Sequence, residues 1–281
     1  LSSPTSGAEL LELSPGVRVQ KSQGGGGSPI IRGFEANRVL IVVDGVRMNN
    51  AIYRSGHLQN SITIDPSNIE RAEVIFGSSS VGYGSDAMGG VIHYYTKRPI
   101  HKGSEKIKSS FTTNFSSANQ GISNNFTTNY SSEKWGGITS LSISKFGDIK
   151  MGKKRDHGFI NWGLTPLYSE NSRYSYYSQP SINSDENVQK NTGYSQVDLF
   201  QKFLVKLGDT NLLNINIQFS ESSDIDRFDQ LSITKGGSLK FSEWYYGPQK
   251  RFLISPSLKI FPNRKFMKKG AITFGFQKIN E

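Results

Sequence analysis

Val39-Leu40-Ile41-Val42-Val43-Asp44-Gly45-Val46-Arg47-Met48 is the stretch on which the fold turns. Five consecutive apolar residues suit a strand covered on both faces and fall far short of the ~18 that a spanning helix needs. Asp44-Gly45 then predicts a hairpin, because glycine tolerates the positive φ of a tight turn, with the chain returning through Val46 and Met48. On this reading Asp44 is a turn residue and not an acid or base. Towards the N-terminus, Leu10, Leu11 and Leu13 lead into Pro15-Gly16, and Val17 and Val19 alternate with Arg18 and Gln20. That is the end of a short helix, a turn and a strand. Gly24–Gly27 reads as a flexible stretch; no Lys followed by Ser or Thr comes after it, which excludes a phosphate-cradling loop. Towards the C-terminus, Asp65-Pro66 precedes a strand over Ile69–Phe76. A small-residue stretch Gly77–Gly84 follows, and a strand over Val91–Thr96 closes the unit. Gly82, Gly84, Gly89 and Gly90 around Tyr83 and Met88 mark backbone turning or packing closely.

The order of these pieces resembles the plug of TonB-dependent outer-membrane receptors. The residues that carry the resemblance are Pro15-Gly16-Val17, Ile31-Arg32-Gly33, Val39 to Val46, Ile69-Glu70-Arg71-Ala72-Glu73-Val74, Tyr83-Gly84-Ser85-Asp86-Ala87-Met88-Gly89-Gly90-Val91-Ile92 and Thr96-Lys97. Each motif alone is weak, but together they span nearly all of residues 9–99 in the right order. Phe76-Gly77-Ser78 departs from the Arg-Gly-Pro often found at that point, so one plug-to-barrel charge contact is expected to be missing.

From residue 105 the pattern becomes alternation. Ile107, Phe111 and Phe115 oppose Lys108, Ser110, Thr112 and Asn114; Ile122, Phe126 and Tyr130 oppose Asn125, Thr127 and Asn129. Trp135–Phe146 is rougher. Val197 to Leu207, Leu213 to Phe219, Phe252 to Ile260 and Ile272 to Phe276 repeat the scheme, making about seven strands. A period of two puts the apolar residues of a strand on one face, which a soluble sandwich buries and a membrane barrel turns to lipid. The connections choose between them. Short turns near 131–134, 208–211 and 262–270 alternate with long links over about 147–193 and 222–249. Long loops on one side only are a property of outer-membrane barrels. The expected fold is therefore a mixed α+β plug, residues 1–100, followed by an all-β part, residues 101–281. The latter would form about 7 of the ~22 strands of a large antiparallel transmembrane barrel. Both ends are expected to continue, upstream into the rest of the plug and a coupling box, downstream into the remaining strands.

Composition narrows the function. The 281 residues are 35% hydrophobic with no cysteine, which excludes disulfides and thiolate metal sites. A net charge of +10 could suggest nucleic acid, but the basic residues are scattered apart from Lys150–Arg155 and Arg264–Lys269. Both clusters fall in loops, so solvated turns are the reading, with lipid headgroups a possible contact for the first. No nucleic-acid partner is expected. His57, His93, His101 and His157 have no metal-ligand spacing, and no nucleophile elbow is present. Asp224, Asp226 and Asp229 lack the glycine and final glutamate of a calcium loop. We read the chain as a non-enzyme without cofactor or metal.

The resemblance implies a receptor of the Gram-negative outer membrane that imports an external ligand by coupling to the TonB energy-transducing complex. Outer-membrane lipid and lipopolysaccharide would surround it, and the ligand would be a small iron chelate or haem. A glycan importer of the same fold, or a non-transporting surface β-protein, is the alternative. By resemblance the plug apex follows the Asp44-Gly45 hairpin, where Asn49, Asn50, Tyr53, Arg54 and His57 are the candidate ligand contacts; Tyr53 and His57 could equally pack against the barrel wall. Arg32, Arg71 and Glu73 match positions used for plug–barrel ion pairing. In the loop over 147–193, His157, Tyr168, Tyr174, Tyr176 and Tyr177 are further candidates, with an aromatic girdle at headgroup level the competing role.

Overall fold

The computed structural model describes residues 4–21, 23–35, 38–48, 60–101, 106–172, 174–262, 266 and 268–281. A short helix α1 (Gly7–Glu12) starts at Ser6, whose Oγ accepts from Glu9 N at 3.3 Å. β1 (Val17–Gln20) and β2 (Ser28–Ile31) form an antiparallel pair beside it. Next come β3 (Val39–Val43), β4 (Val46–Arg47), β5 (Ile69–Ile75) and β6 (Gly90–Thr96), in a four-stranded sheet of order β4-β3-β6-β5. β3 runs parallel to β6, and the other pairs are antiparallel.

All five residues of β3 are buried, as an uninterrupted apolar run requires. Val39, Ile41 and Val43 pack on one face with Leu11, Ile31, Met48, Ile92 and Tyr94; Leu40 and Val42 pack on the other with Ala87 and Val91. The hairpin forms as read, with Asp44 at φ 48° and Gly45 at φ 88°. The small-residue stretch is a run of 3-10 turns over Gly77–Tyr83.

The remaining long strands are β7 (Lys106–Ser116), β8 (Gly121–Ser131), β9 (Trp135–Phe146), β10 (Tyr194–Leu207), β11 (Asn211–Ser222), β12 (Lys250–Ile260), β13 (Gly270–Thr273) and β14 (Phe276–Asn280). They make one antiparallel sheet in chain order, with β13 and β14 both paired to β12. The seventh strand expected from the sequence is thus β13 and β14, broken at Phe274-Gly275 in unchanged register. The cause is Pro256, which stands opposite Phe274 and has no N–H to return to the ladder. Phe274 N still donates to the Pro256 carbonyl at 3.0 Å, and Ser255 Oγ supplies the missing donor to the Phe274 carbonyl at 2.9 Å.

The register aligns the alternation across the sheet. Phe111, Phe126, Leu141, Leu199, Phe219 and Phe252 are successive cross-strand partners and form an apolar belt on one face. Five of the six are exposed, Phe111 at 67%. On the opposite face Thr112, Asn125, Ser142, Asp198, Ser220 and Arg251 form the adjacent row, and from Asn125 onward every member is buried. The apolar face looks outward and the polar face looks at the plug, the reverse of a soluble sheet.

The two long links are not structureless. Ile149–Lys150 pairs with Val188–Gln189 and Leu167–Tyr168 with Ser181–Ile182 in the first; Ile225–Asp226 pairs with Tyr245–Tyr246 in the second. Leu239 N donates to the Ser178 carbonyl at 2.8 Å, tying the two loops together.

Gly24–Gly27 corrects the expectation of a flexible stretch. A Cβ on Gly24 would collide with the Thr192 carbonyl oxygen, and one on Gly25 would lie 2.8 Å from Ile225 Cδ1. A Cβ on Gly27 would collide with Ala8 of α1. The run is a close-packed seam between α1, the plug strands and the base of the external loops. Gly27→Ala is expected to destabilise the plug by about 1–3 kcal/mol through overpacking, read as a lowered denaturant midpoint; an unchanged midpoint would contradict the seam.

Candidate functional site: the plug–wall junction

The junction is built from the hairpin outward. At its turn the Asp44 carboxylate accepts from Thr96 N at 3.0 Å and, across the interface, from Lys202 Nζ at 2.9 Å and Asn216 Nδ2 at 2.8 Å. Lys202 Nζ also donates to Thr96 Oγ1 at 2.6 Å. Lys202 lies on β10 and Asn216 beside it on β11, both on the inner face. The Lys202 side chain is 4% exposed and that of Asp44 17%, so the ion pair is shielded and satisfied by hydrogen bonds on both sides. Asp44 is therefore both the turn residue expected from Asp-Gly and the main anchor of the plug. The second role was not visible in a turn motif. Lys202 stood in the sequence as one polar member of an alternating strand, and its signal was a full charge at mid-strand.

Two further contacts hold the plug. Asp65 Oδ1 accepts from Ser67 N at 2.8 Å, and its Oδ2 accepts from Ser142 Oγ on β9 at 2.6 Å. Gln196 Nε2 on β10 donates to the Ile62 carbonyl at 2.8 Å. Nearer the external loops Ile62 joins Phe146, Tyr194 and Ile225 in a small apolar cluster.

Arg32, Arg71 and Glu73 lie elsewhere. Arg71 Nε bonds Glu73 Oε1 on the same strand at 2.8 Å, and its guanidinium sits 3.8 Å over the Tyr95 ring. Arg32, at φ 50°, lies 5.0 Å over the Phe76 ring. Among the described residues none of the three bonds to the wall.

His93 on β6 backs the hairpin. Its Nε2 accepts from Gly45 N at 3.1 Å, which leaves Nδ1 to donate to Tyr83 Oη, also at 3.1 Å. Burial pushes its pKa below the ordinary 6.5, against the opposing pull of Asp44 and Glu73. The neutral ring is the one the hairpin needs. Above pH 6.5 the folded and unfolded forms are both neutral there, and the contribution is complete. As pH falls from 6.5 towards the folded value, the unfolded chain takes the proton first and stability drops. Denaturant unfolding is expected to give a lower midpoint at about pH 5.5 than at about 7.5, and His93→Gln, which keeps an acceptor for Gly45 N–H, to flatten this component. An unchanged slope in the variant would contradict it.

Asn49, Asn50, Tyr53, Arg54 and His57 lie outside the described residues. In the first external loop, Tyr168 and Tyr177 line an open cleft of about 460 Å³ with Asp148, Glu170, Asn171 and Lys190. His157 belongs to a separate aromatic group with Phe159 and Trp162, at ring distances of 5.7 and 5.5 Å. Tyr174 and Tyr176 are solvent-exposed. Asp229 is held by Arg227 at 2.7 Å, and among the described residues no three His, Asp or Glu side chains converge.

A small mixed sheet seated by polar contacts on the inner face of an outward-apolar antiparallel wall defines a plugged outer-membrane barrel. Residues 2–91 match the TonB-dependent Receptor Plug Domain family. Over those residues the chain is similar to the plugs of TonB-dependent receptors, and the likeness extends beyond the plug to most of the chain. It is 29% identical over 237 residues to a hemin receptor of Yersinia pestis, covering 75% of this chain and 34% of that one. It is 39% identical over 126 residues to the vitamin B12 transporter BtuB of Vibrio vulnificus, covering 41% and 20%. The FrpB iron transporter of Neisseria meningitidis shares the fold with a TM-score of 0.68 at 15% identity, over 99% of this chain and 39% of that one. The chain thus spans about two fifths or less of the length of each of these proteins.

Proposed function

We propose that the protein takes part in energy-coupled import across the outer membrane, with an iron carrier, siderophore or haem, as its ligand. Residues 1–100 act as the plug and residues 101–281 as barrel wall, and the TonB complex acts on the plug. The observation that carries this reading is the chemistry of the junction. The plug keeps apolar cores of its own on both faces of β3, while plug and wall meet chiefly through the polar contacts Asp44–Lys202, Asp65–Ser142 and Gln196–Ile62, with a small apolar cluster at Ile62. Polar contacts can be exchanged for water as a plug shifts, whereas an apolar core cannot. Hemin and iron among the ligands named for the relatives support the ligand class. Asn49, Asn50, Tyr53, Arg54 and His57 remain the proposed apical contacts, with Tyr168 and Tyr177 on the loop cleft above. The test is growth on hemin, or on a ferric siderophore, as sole iron source in a host lacking its own receptors but carrying the TonB complex. Growth that requires both this receptor and that complex is expected, with at least one of the two sources. Growth on neither, with the receptor present in the outer membrane, would overturn the iron-carrier reading.

A further inference from the structure

We propose that the inner wall carries a carboxylate-binding station, filled at rest by the plug's own Asp44 and filled by an anionic ligand once the hairpin withdraws. Beside the hairpin lies a half-enclosed space of about 410 Å³ between plug and wall. Its charged lining is Arg98, Lys202 and Lys259 against the single carboxylate of Asp44, three positive charges less one negative, or +2. Lys202 and Asn216 already show what the wall recognises, since both donate to Asp44 Oδ2, at 2.9 and 2.8 Å. Arg98 is paired only loosely, with Glu70 at 3.8 Å, and Lys259 has no ion-pair partner among the described residues.

The donors belong to the wall and the acceptor belongs to the plug. Lys202, Asn216 and Lys259 are fixed on β10, β11 and β12, whose pairing is continuous. When the hairpin moves, Asp44 leaves and these donors stay, with the hydroxyls of Ser255 and Ser257 beside them. A buried cation stripped of its partner is costly, so the vacated place favours another carboxylate or a similarly charged oxygen group. On the import reading, which this station extends, the anionic end of the ligand would replace Asp44 on the way through. The same contact would also compete against premature re-seating of the plug.

The station can be tested without knowing the transported ligand. Citrate is titrated calorimetrically into the purified full-length protein, as wild type, Asp44→Asn and Asp44→Asn/Lys259→Gln. Asp44→Asn is expected to bind citrate about tenfold more tightly than wild type, and the added Lys259→Gln to remove the gain. Equal citrate affinity in all three overturns the proposal. Lys259→Gln alone provides an arm that does not disturb the hairpin: surface binding of hemin is expected to be unchanged and its uptake to fall several-fold. Unchanged uptake of surface-bound hemin would count against the station. Absence of hemin binding at the surface would instead count against the iron-carrier reading and leave the citrate result to decide.

Discussion

Asp44→Asn is expected to loosen the seating of the plug on the wall by about 3 kcal/mol, the lower end of the cost of breaking a buried pair. Asparagine tolerates the left-handed backbone of this position, where φ is 48°, so the turn survives and the loss is electrostatic. The Lys202 ammonium, 4% exposed, would keep Thr96 Oγ1 at 2.6 Å but lose its counter-charge. Hydrogen exchange of plug amides in the full-length protein should rise by roughly two orders of magnitude, since 1.4 kcal/mol corresponds to about tenfold. Lys202→Met in the same background is expected to recover part of the loss, because an apolar side chain needs no partner. Strictly additive losses in the double variant would show that the two residues do not act as a pair.

Leu199→Arg is expected to cost about 2–4 kcal/mol in a bilayer, the penalty of a cation near mid-depth on the lipid face of a barrel. Leu199 stands in the middle of the belt that runs from Phe111 to Phe252. Its neighbour Phe200 points the other way and is buried against the plug. A polar-face control, Thr112→Arg on β7, should stay within about 1 kcal/mol of wild type. Equal effects at the two positions, measured as folding efficiency into vesicles, would mean that the apolar face does not meet lipid.

Much of this architecture was legible because its signals are local. The run Val39–Val43 with Asp44-Gly45 fixes a buried strand and a hairpin without reference to anything distant. The alternation from Ile107 onward fixes which side chains share a face, and the pairing of short with long links fixes the sidedness. The break at Phe274 was not legible, because it arises from Pro256 on the neighbouring strand. The short pairs inside the external loops, such as Ile149–Lys150 with Val188–Gln189, are two residues long and too short for periodicity to register. Gly24–Gly27 reads as flexible in isolation and is close-packed because Thr192, Ile225 and Ala8 approach it from distant parts of the chain.

The candidate site followed the same division. Arg71 and Glu73 are two residues apart on β5 and satisfy each other, so a pairing assigned across the interface is realised within one strand. The contacts that cross the interface join residues far apart in sequence, among them Asp44 with Lys202 and Asn216, Asp65 with Ser142, Ile62 with Gln196 and Arg47 with Gln277. A single sequence carries no mark of such pairs beyond a charge or amide at mid-strand on the polar face.

On the import reading, the plug must leave the few contacts, mostly polar, through which it rests against the inner wall. The 281 residues hold no cysteine, so a pair introduced here has no competing thiol among them. Asp65→Cys with Ser142→Cys replaces side chains whose oxygens lie 2.6 Å apart. In the full-length receptor, oxidation is expected to link the two, and peptide mass spectrometry to find the joined fragments. Uptake of the ligand should stop on linking and return on reduction. Failure to link would place the plug elsewhere, and a linked receptor that still transports would contradict a plug that has to move.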